Sequence, residues 1–239
     1  MDDLEELLPP PAPTPSRPLL GHSILVAEDS RLACEAIRLL CLRSGARLRR
    51  AHCLAAAYRH LNRYRPTILI ADLGLPDGSG LDLLHDLAQA RPRLTVLLGM
   101  SGDPMRETEA MQAGADGFLA KPIESLAGFQ KLLLSHLPPG MKPAKLQTLT
   151  DDRIVPDPIA YQDDIAHACE MLNGQEDERT LDYLLQFTRG VARSARDKPL
   201  IAVAERLARH RACGRPVGSD LARLAGILHE RLTAGRAMI

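Results

Sequence analysis

Tryptophan is absent from this 239-residue chain, and only three Phe and four Tyr are present. A core built on aromatic anchors is excluded, so Leu, Ala, Ile and Val must fill the interior. An excess of charge is also missing, because 30 Lys and Arg balance 30 Asp and Glu. That argues against a chain-wide electrostatic footprint for nucleic acid or membrane and leaves only a local patch open. No apolar run approaches the roughly 18 residues needed to cross a bilayer. The acidic start Met1-Asp2-Asp3-Leu4-Glu5-Glu6 has no apolar core of a signal peptide. The five Cys, at 34, 41, 53, 169 and 213, form no CxxC pair. A disulfide frame or zinc site is not expected; reduced thiols and a cytoplasmic location are.

What is there is ordinary globular material: 45% hydrophobic and 25% charged residues. At about 150 residues per domain this is one large domain or two small ones. Residues 1–20 hold six of the eighteen prolines and read as a disordered Pro-rich tail. Between 21 and 138, short β-branched runs alternate with amphipathic segments. Strands are expected at 23–27, 46–51, 67–73, 95–100 and 117–120. Helices are expected at 31–44, 54–64, 81–90, 105–113 and 125–136. Such alternation, with continuous rather than alternating apolar strands, implies a parallel sheet covered on both faces. Residues 139–158 are proline-rich and read as a linker. Residues 159–239 read as all-helical, with expected helices at 159–172, 180–195 and 197–212. Ser219 is the expected cap of a fourth. Each apolar stripe needs a partner, so a small bundle is the economical answer.

Polar residues then fall into a pattern. In an open parallel sheet, ligands sit beyond the carboxyl ends of the strands. Glu28 and Asp29 follow the first strand, Asp72 ends the third, Ser101 ends the fourth and Lys121 follows the fifth. Three carboxylates in one place repel one another, and a hard divalent cation such as Mg²⁺ relieves this. Asp72 then has the surroundings of a nucleophile toward a phosphoryl group, with Lys121 and Ser101 for the other phosphoryl oxygens. A metal-dependent hydrolase would want a second Asp two residues on, which Asp72-Leu73-Gly74 lacks.

The segments ILVAEDS at 24–30, ILIADLGLPDGSG at 68–80, LLGMSGD at 97–103 and GFLAKPI at 117–123 resemble the receiver domain of bacterial two-component response regulators. The resemblance covers about residues 22–137. It implies a flavodoxin-like doubly wound five-stranded parallel sheet of order 2-1-3-4-5. It makes Asp72 the phosphoacceptor, fed by a sensor histidine kinase or a phosphotransfer protein. It makes Glu28, Asp29, Asp72 and the main-chain carbonyl of Gly74 the Mg²⁺ ligands. Ser101 takes the place of the switch hydroxyl, Lys121 that of the family lysine and Phe118 that of the switch aromatic. Gly74 and Asp103 stand where dephosphorylation is usually tuned. The implied protein is a regulatory phosphoacceptor, an enzyme only toward its own phosphate.

The helical half is less legible. A helix-turn-helix would need a shorter turn than Cys213–Gly218 and a more basic last helix than Arg223, Arg231, Arg236 and Glu230 provide. Gln186-Phe187-Thr188-Arg189-Gly190 is similar to the His-x-x-Lys-Gly pattern of histidine-phosphotransfer bundles, with Gln where His belongs. That resemblance implies a degenerate bundle used for docking or dimerisation. His167, His210 and His229 read as surface or interface residues. Charge is divided: −8 over 150–188 and +7 over 189–239. The expected output is a protein partner or a second copy of the chain, with a DNA-binding transcriptional regulator as the alternative.

Overall fold

The computed structural model describes residues 11–145, 152–174 and 178–236. Its first half is one parallel sheet of five strands: β1 (Ser23–Ala27), β2 (Arg47–Ala51), β3 (Ile68–Asp72), β4 (Val96–Ser101) and β5 (Gly117–Ala120). Their order is β2-β1-β3-β4-β5, as the sequence implied. Between them run α1 (Arg31–Ser44), α2 (Leu54–Leu61), α3 (Gly80–Gln89) and α4 (Glu107–Gln112), and α5 (Leu126–His136) follows the last strand.

Period-2 geometry divides each strand between two cores. Ile24, Val26, Ile68 and Ile70 pack with Ile37 and Leu40 of α1 and with Phe129 and Leu133 of α5. Leu25, Ala27, Leu69 and Ala71 face the other way, onto Leu83 and Leu84 of α3 and Ala110 of α4. Each such Leu or Ile contributes about 1.5–3 kcal/mol on burial. The edge strand β2 (RLRRA) carries its arginines outward, which blunts an exposed edge.

Helix starts follow local chemistry. Ser30 caps α1 by accepting from the Ala33 amide, Ser79 caps α3 through the Leu81 amide, and Ser125 caps α5 through the Gly128 amide. The helix expected over 105–113 is shorter than the periodicity suggested. Asp103 caps a single 3₁₀ turn at Pro104–Arg106 first, and α4 begins only at Glu107.

The second half is a closed bundle of α6 (Pro158–Asn173), α7 (Glu178–Ser194), α8 (Lys198–Ala212) and α9 (Gly218–Arg236). Each helix packs on its chain neighbours, and α6 closes the ring against α9. Ile165, Leu184, Leu185, Leu200, Leu207, Leu224 and Leu228 form its core. Asp157 and Asp197 cap α6 and α8. Ser219 lies inside the first turn of α9 rather than capping it.

Two boundaries differ from expectation. Of the tail placed at 1–20, residues 1–10 lie outside the described residues. Thr14–Leu20 instead fold back on the sheet domain. Leu19 is fully buried, and its amide bonds the Ser44 carbonyl at 2.9 Å. The linker placed at 139–158 is also engaged. His22 donates to the Met141 carbonyl at 2.8 Å. Ile154 is buried in the α1–α5 core, and its amide bonds the Glu124 carbonyl at 2.8 Å. Proline content identified segments outside regular structure, but the apolar Leu19 and Ile154 within them still find the core.

Candidate functional site

Parallel strands end together, so Glu28, Asp29, Asp72, Ser101 and Lys121 meet at one edge of the sheet. Carboxylate oxygens of Glu28, Asp29 and Asp72 lie within 4.8 Å of one another. The Lys121 ammonium sits 2.5 Å from Glu28 Oε2 and 3.3 Å from Asp72 Oδ2. Glu28, Asp72, Ser101 and Lys121 are all buried. Gly80 makes the strand end possible: a Cβ there would stand 1.9 Å from the Asp72 carbonyl oxygen.

Electrostatics follow from this crowding. Burial pushes Asp72 up to about 7; Lys121 pulls against that rise and Glu28 adds to it. Asp29 is raised well above the usual carboxylate value by burial and by the Glu28 and Asp72 charges. Lys121 loses basicity to burial but regains more from Asp72 and Glu28, so it stays charged. One ammonium does not neutralise three clustered carboxylates, two of them buried. The hard, all-oxygen donor set of Glu28, Asp29 and Asp72 fits a Mg²⁺ ion held by a few carboxylates plus water.

Ser101 ends β4 beside Ala120, and Phe118 pairs with Gly99 one turn of the pleat below. The absence of a side chain at Gly99 leaves the Phe118 ring and Ala110 close to it. Phe118 is half-buried against the α3–α4 core. The Asp103 amide donates to the Ser101 hydroxyl oxygen at 3.1 Å.

The helical domain completes the site, which no single segment of sequence announced. Helix α7 lies over the sheet edge. The Tyr183 hydroxyl donates to the Asp29 carboxylate, and Arg193 donates to the Gly102 carbonyl. Arg189 approaches Asp103 at 4.0 Å. The Gln186 carboxamide lies against Gly74, where a Cβ would be 1.3 Å from its Nε2. A cavity of about 420 Å³ is left between α7 and the acidic cluster.

Around this roof the domains are pinned. Asp164 of α6 accepts from the Ser30 hydroxyl and from the Arg31 and Leu32 amides at the start of α1. Arg31 pairs with Asp163 at 2.6 Å, Arg43 with Asp152 at 3.3 Å, and Arg196 with Glu124. The acidic front and basic back of the second half thus find partners on the sheet domain as well as within the bundle, where Arg211 pairs with Asp182. His167 stacks edge-on against Phe187 and His210 pairs with Asp220; neither histidine lines the cavity. Tyr183, Arg193 and Asp164 gave no sequence signal, because their contacts span 91 to 154 positions. Gln186 and Arg189 stood in a recognisable pattern, but nothing in it pointed to Gly74 or Asp103.

Residues 24–132 match the family described as response regulator receiver domain. The sequence is 30% identical over 101 residues to the KDP operon transcriptional regulatory protein KdpE of Escherichia coli, covering 42% of this chain and 45% of that protein. It is 32% identical over 114 residues to the virulence transcriptional regulatory protein PhoP of Salmonella typhimurium, covering 46% and 51%. The match spans about half the length of these curated relatives. Among solved structures, a response regulator from Chloroflexus aurantiacus is similar at 26% identity and a TM-score of 0.45, over 48% of this chain and 96% of that one. No helix among the described residues is long and apolar enough to cross a membrane.

Proposed function

With residues 24–132 a response regulator receiver domain, we propose that the chain is a phosphorelay switch in which Asp72 accepts the phosphoryl group and the helical domain carries the output to a protein partner. The observation that carries this reading is the clustered trio Glu28, Asp29 and Asp72, with Glu28 and Asp72 buried and Lys121 3.3 Å from the Asp72 carboxylate. In it, Asp72 Oδ attacks the phosphorus of a phosphohistidine on a kinase or phosphotransfer protein. The P–N bond breaks, and the imidazole leaves with the electron pair. Lys121 holds one phosphoryl oxygen, and the Ser101 hydroxyl turns to donate to another. Glu28, Asp29, Asp72 and the Gly74 carbonyl would hold Mg²⁺. That ion, when bound, offsets the charge shared by the carboxylates and the phosphoryl oxygens.

The product adds about −1.5 to −2 charges beneath α7. Ser101 and the loop Gly102–Asp103 then move together, because the Asp103 amide is bonded to the Ser101 hydroxyl. Arg193 and Arg189 of α7 rest on that same loop. Ser101 vacates space toward Phe118 on the neighbouring strand, which resets the α4–β5–α5 face. The change at Asp72 thus reaches the helical domain directly, which supports α6–α9 as the responding element.

Three arms test this. Full-length protein given acetyl phosphate and Mg²⁺ should take up one phosphoryl group, and Asp72→Asn should take up none. Label retained by Asp72→Asn would refute the site. A gel shift at stated salt with phosphorylated protein separates the outputs, since DNA binding there would replace the protein partner with a transcriptional role.

A further inference from the structure

We propose that Gln186 is a catalytic residue for hydrolysis of the Asp72 phosphate, supplied to the receiver by the helical domain of the same chain. The inference rests on Asp72 being the phosphoacceptor.

Tyr183, Gln186, Arg189 and Arg193 recur at three- and four-residue spacing, so they share one face of α7. That face roofs the acidic cluster. Three of the four are already engaged: Tyr183 with Asp29, Arg189 with Asp103 and Arg193 with Gly102. Among the described residues no hydrogen bond engages the Gln186 carboxamide. A carboxamide offers two donors and an acceptor. Here it faces a cavity that it shares with the polar side chains of Asp72, Ser101 and Lys121 and that is large enough for several waters.

Its position is set by Gly74. The amide end of Gln186 occupies the place of the side chain that Gly74 lacks, two residues beyond Asp72. Any other residue there would drive the amide out of the cavity rim. Hydrolysis requires a water in line with the P–O bond, on the side of the phosphorus away from Asp72. That is the side α7 covers. Gln186 Oε1 accepts from this water and Nε2 donates to a phosphoryl oxygen, which aligns the attack as glutamine does in GTP hydrolysis. The water oxygen bonds phosphorus and the P–Oδ bond breaks. The electron pair stays on the Asp72 carboxylate. The water's proton passes to a phosphoryl oxygen, and inorganic phosphate leaves. No further reactant is needed. Arg189 and Arg193 add positive charge near the transferred group; Arg189 Nε is buried without a hydrogen-bond partner.

A roof that merely sealed the site would lengthen the life of the phosphate. The two roles therefore predict opposite signs. Full-length protein is loaded with acetyl phosphate and Mg²⁺, the donor is removed, and decay is followed by phosphate-affinity gel. Gln186→Ala and the size-conserving Gln186→Leu should each slow decay about ten-fold or more, the cost of losing one positioned group. The initial rate of label uptake and the unfolding midpoint should stay at the parent values, which a loosened domain interface would not allow. Decay that is unchanged or faster in both variants would overturn the role of Gln186. Failure of the parent protein to take up label at Asp72 would instead overturn the phosphoacceptor reading beneath it.

Discussion

Asp164 of the helical domain caps the first helix of the receiver beside Ser30. Its carboxylate accepts from the Ser30 hydroxyl at 2.7 Å and from the Arg31 and Leu32 amides at 2.7 and 3.1 Å. Orphan amides at a helix start attract negative charge. Here the charge comes from another domain, one residue from the acidic pair Glu28–Asp29. The helical domain is thereby anchored next to the acidic cluster.

Asp164→Ala should uncouple the domains. Losing hydrogen bonds to a buried charged group costs about 1.5–3 kcal/mol each. Ser30 still caps α1 through the Ala33 amide, so the receiver itself should persist. Calorimetry should show separate transitions for receiver and bundle where the parent gives more concerted melting. Unaltered melting would mean that the Asp164 contacts contribute little.

Gly74→Ala probes the roof from the receiver side. The new Cβ meets the end of a flexible side chain, so Gln186 should swing away while the fold is retained. Hydrogen exchange in α7 should rise, and phosphate decay should slow as in Gln186→Ala. A variant that keeps the parent's decay rate would show that the amide acts from elsewhere or not at all.

Tyr183→Phe removes one hydroxyl from the acidic cluster. Tyr183 donates to Asp29, one of the carboxylates proposed to hold the cation, and burial and the Asp29 charge hold the phenol protonated, well above its ordinary value. Freed of that bond, Asp29 should bind Mg²⁺ several-fold more tightly, read by calorimetric titration. Weaker binding would show that Tyr183 orients Asp29 for the ion instead of competing with it.

The bundle should be acid-sensitive through Asp197. Its carboxylate accepts from the Leu200 amide at 3.1 Å, from Tyr161 at 2.8 Å and from Arg231 at 2.6 Å. Burial works to raise Asp197, but Arg231, the Leu200 amide and Tyr161 outweigh it and hold the group below its ordinary value. A depressed native value contributes stability that is complete above the unfolded value of about 3.9 and is lost as pH falls through the native one. Helical melting should thus be level near neutrality and fall below about pH 4. Asp197→Asn should be less stable at neutral pH and flatter across that acid window. An equally steep acid loss in the variant would assign the effect to other carboxylates.

Leu184→Ala should damage the bundle selectively. Leu184 is fully buried in the core of α6–α9, which shares no buried residue with the two sheet cores. A cavity of this kind costs about 2–5 kcal/mol. The receiver's uptake of phosphate should continue, and loss of that uptake would show that the two domains fold only together.

The receiver was legible because its determinants are local. Runs such as Ile68–Asp72 state their own burial, caps such as Ser30 and Ser79 mark helix starts, and parallel topology carries strand-end acids to one edge without further information. The bundle was legible as helices for the same reason, through stripes such as Leu181, Leu184, Leu185 and Val191. Proline content misjudged Leu19 and Ile154, because the pull of an apolar side chain into a core does not depend on regular backbone. Docking of α7 on the acidic cluster was not legible at all. It depends on Asp164 reaching Ser30 and Gln186 reaching Gly74 across more than 100 positions, and no periodicity encodes such contacts. The sequence determined that Glu28, Asp29, Asp72, Ser101 and Lys121 share one edge of the sheet. Only the tertiary structure decided what covers it, because packing two finished surfaces is a matter of shape and charge complementarity rather than of pattern along the chain.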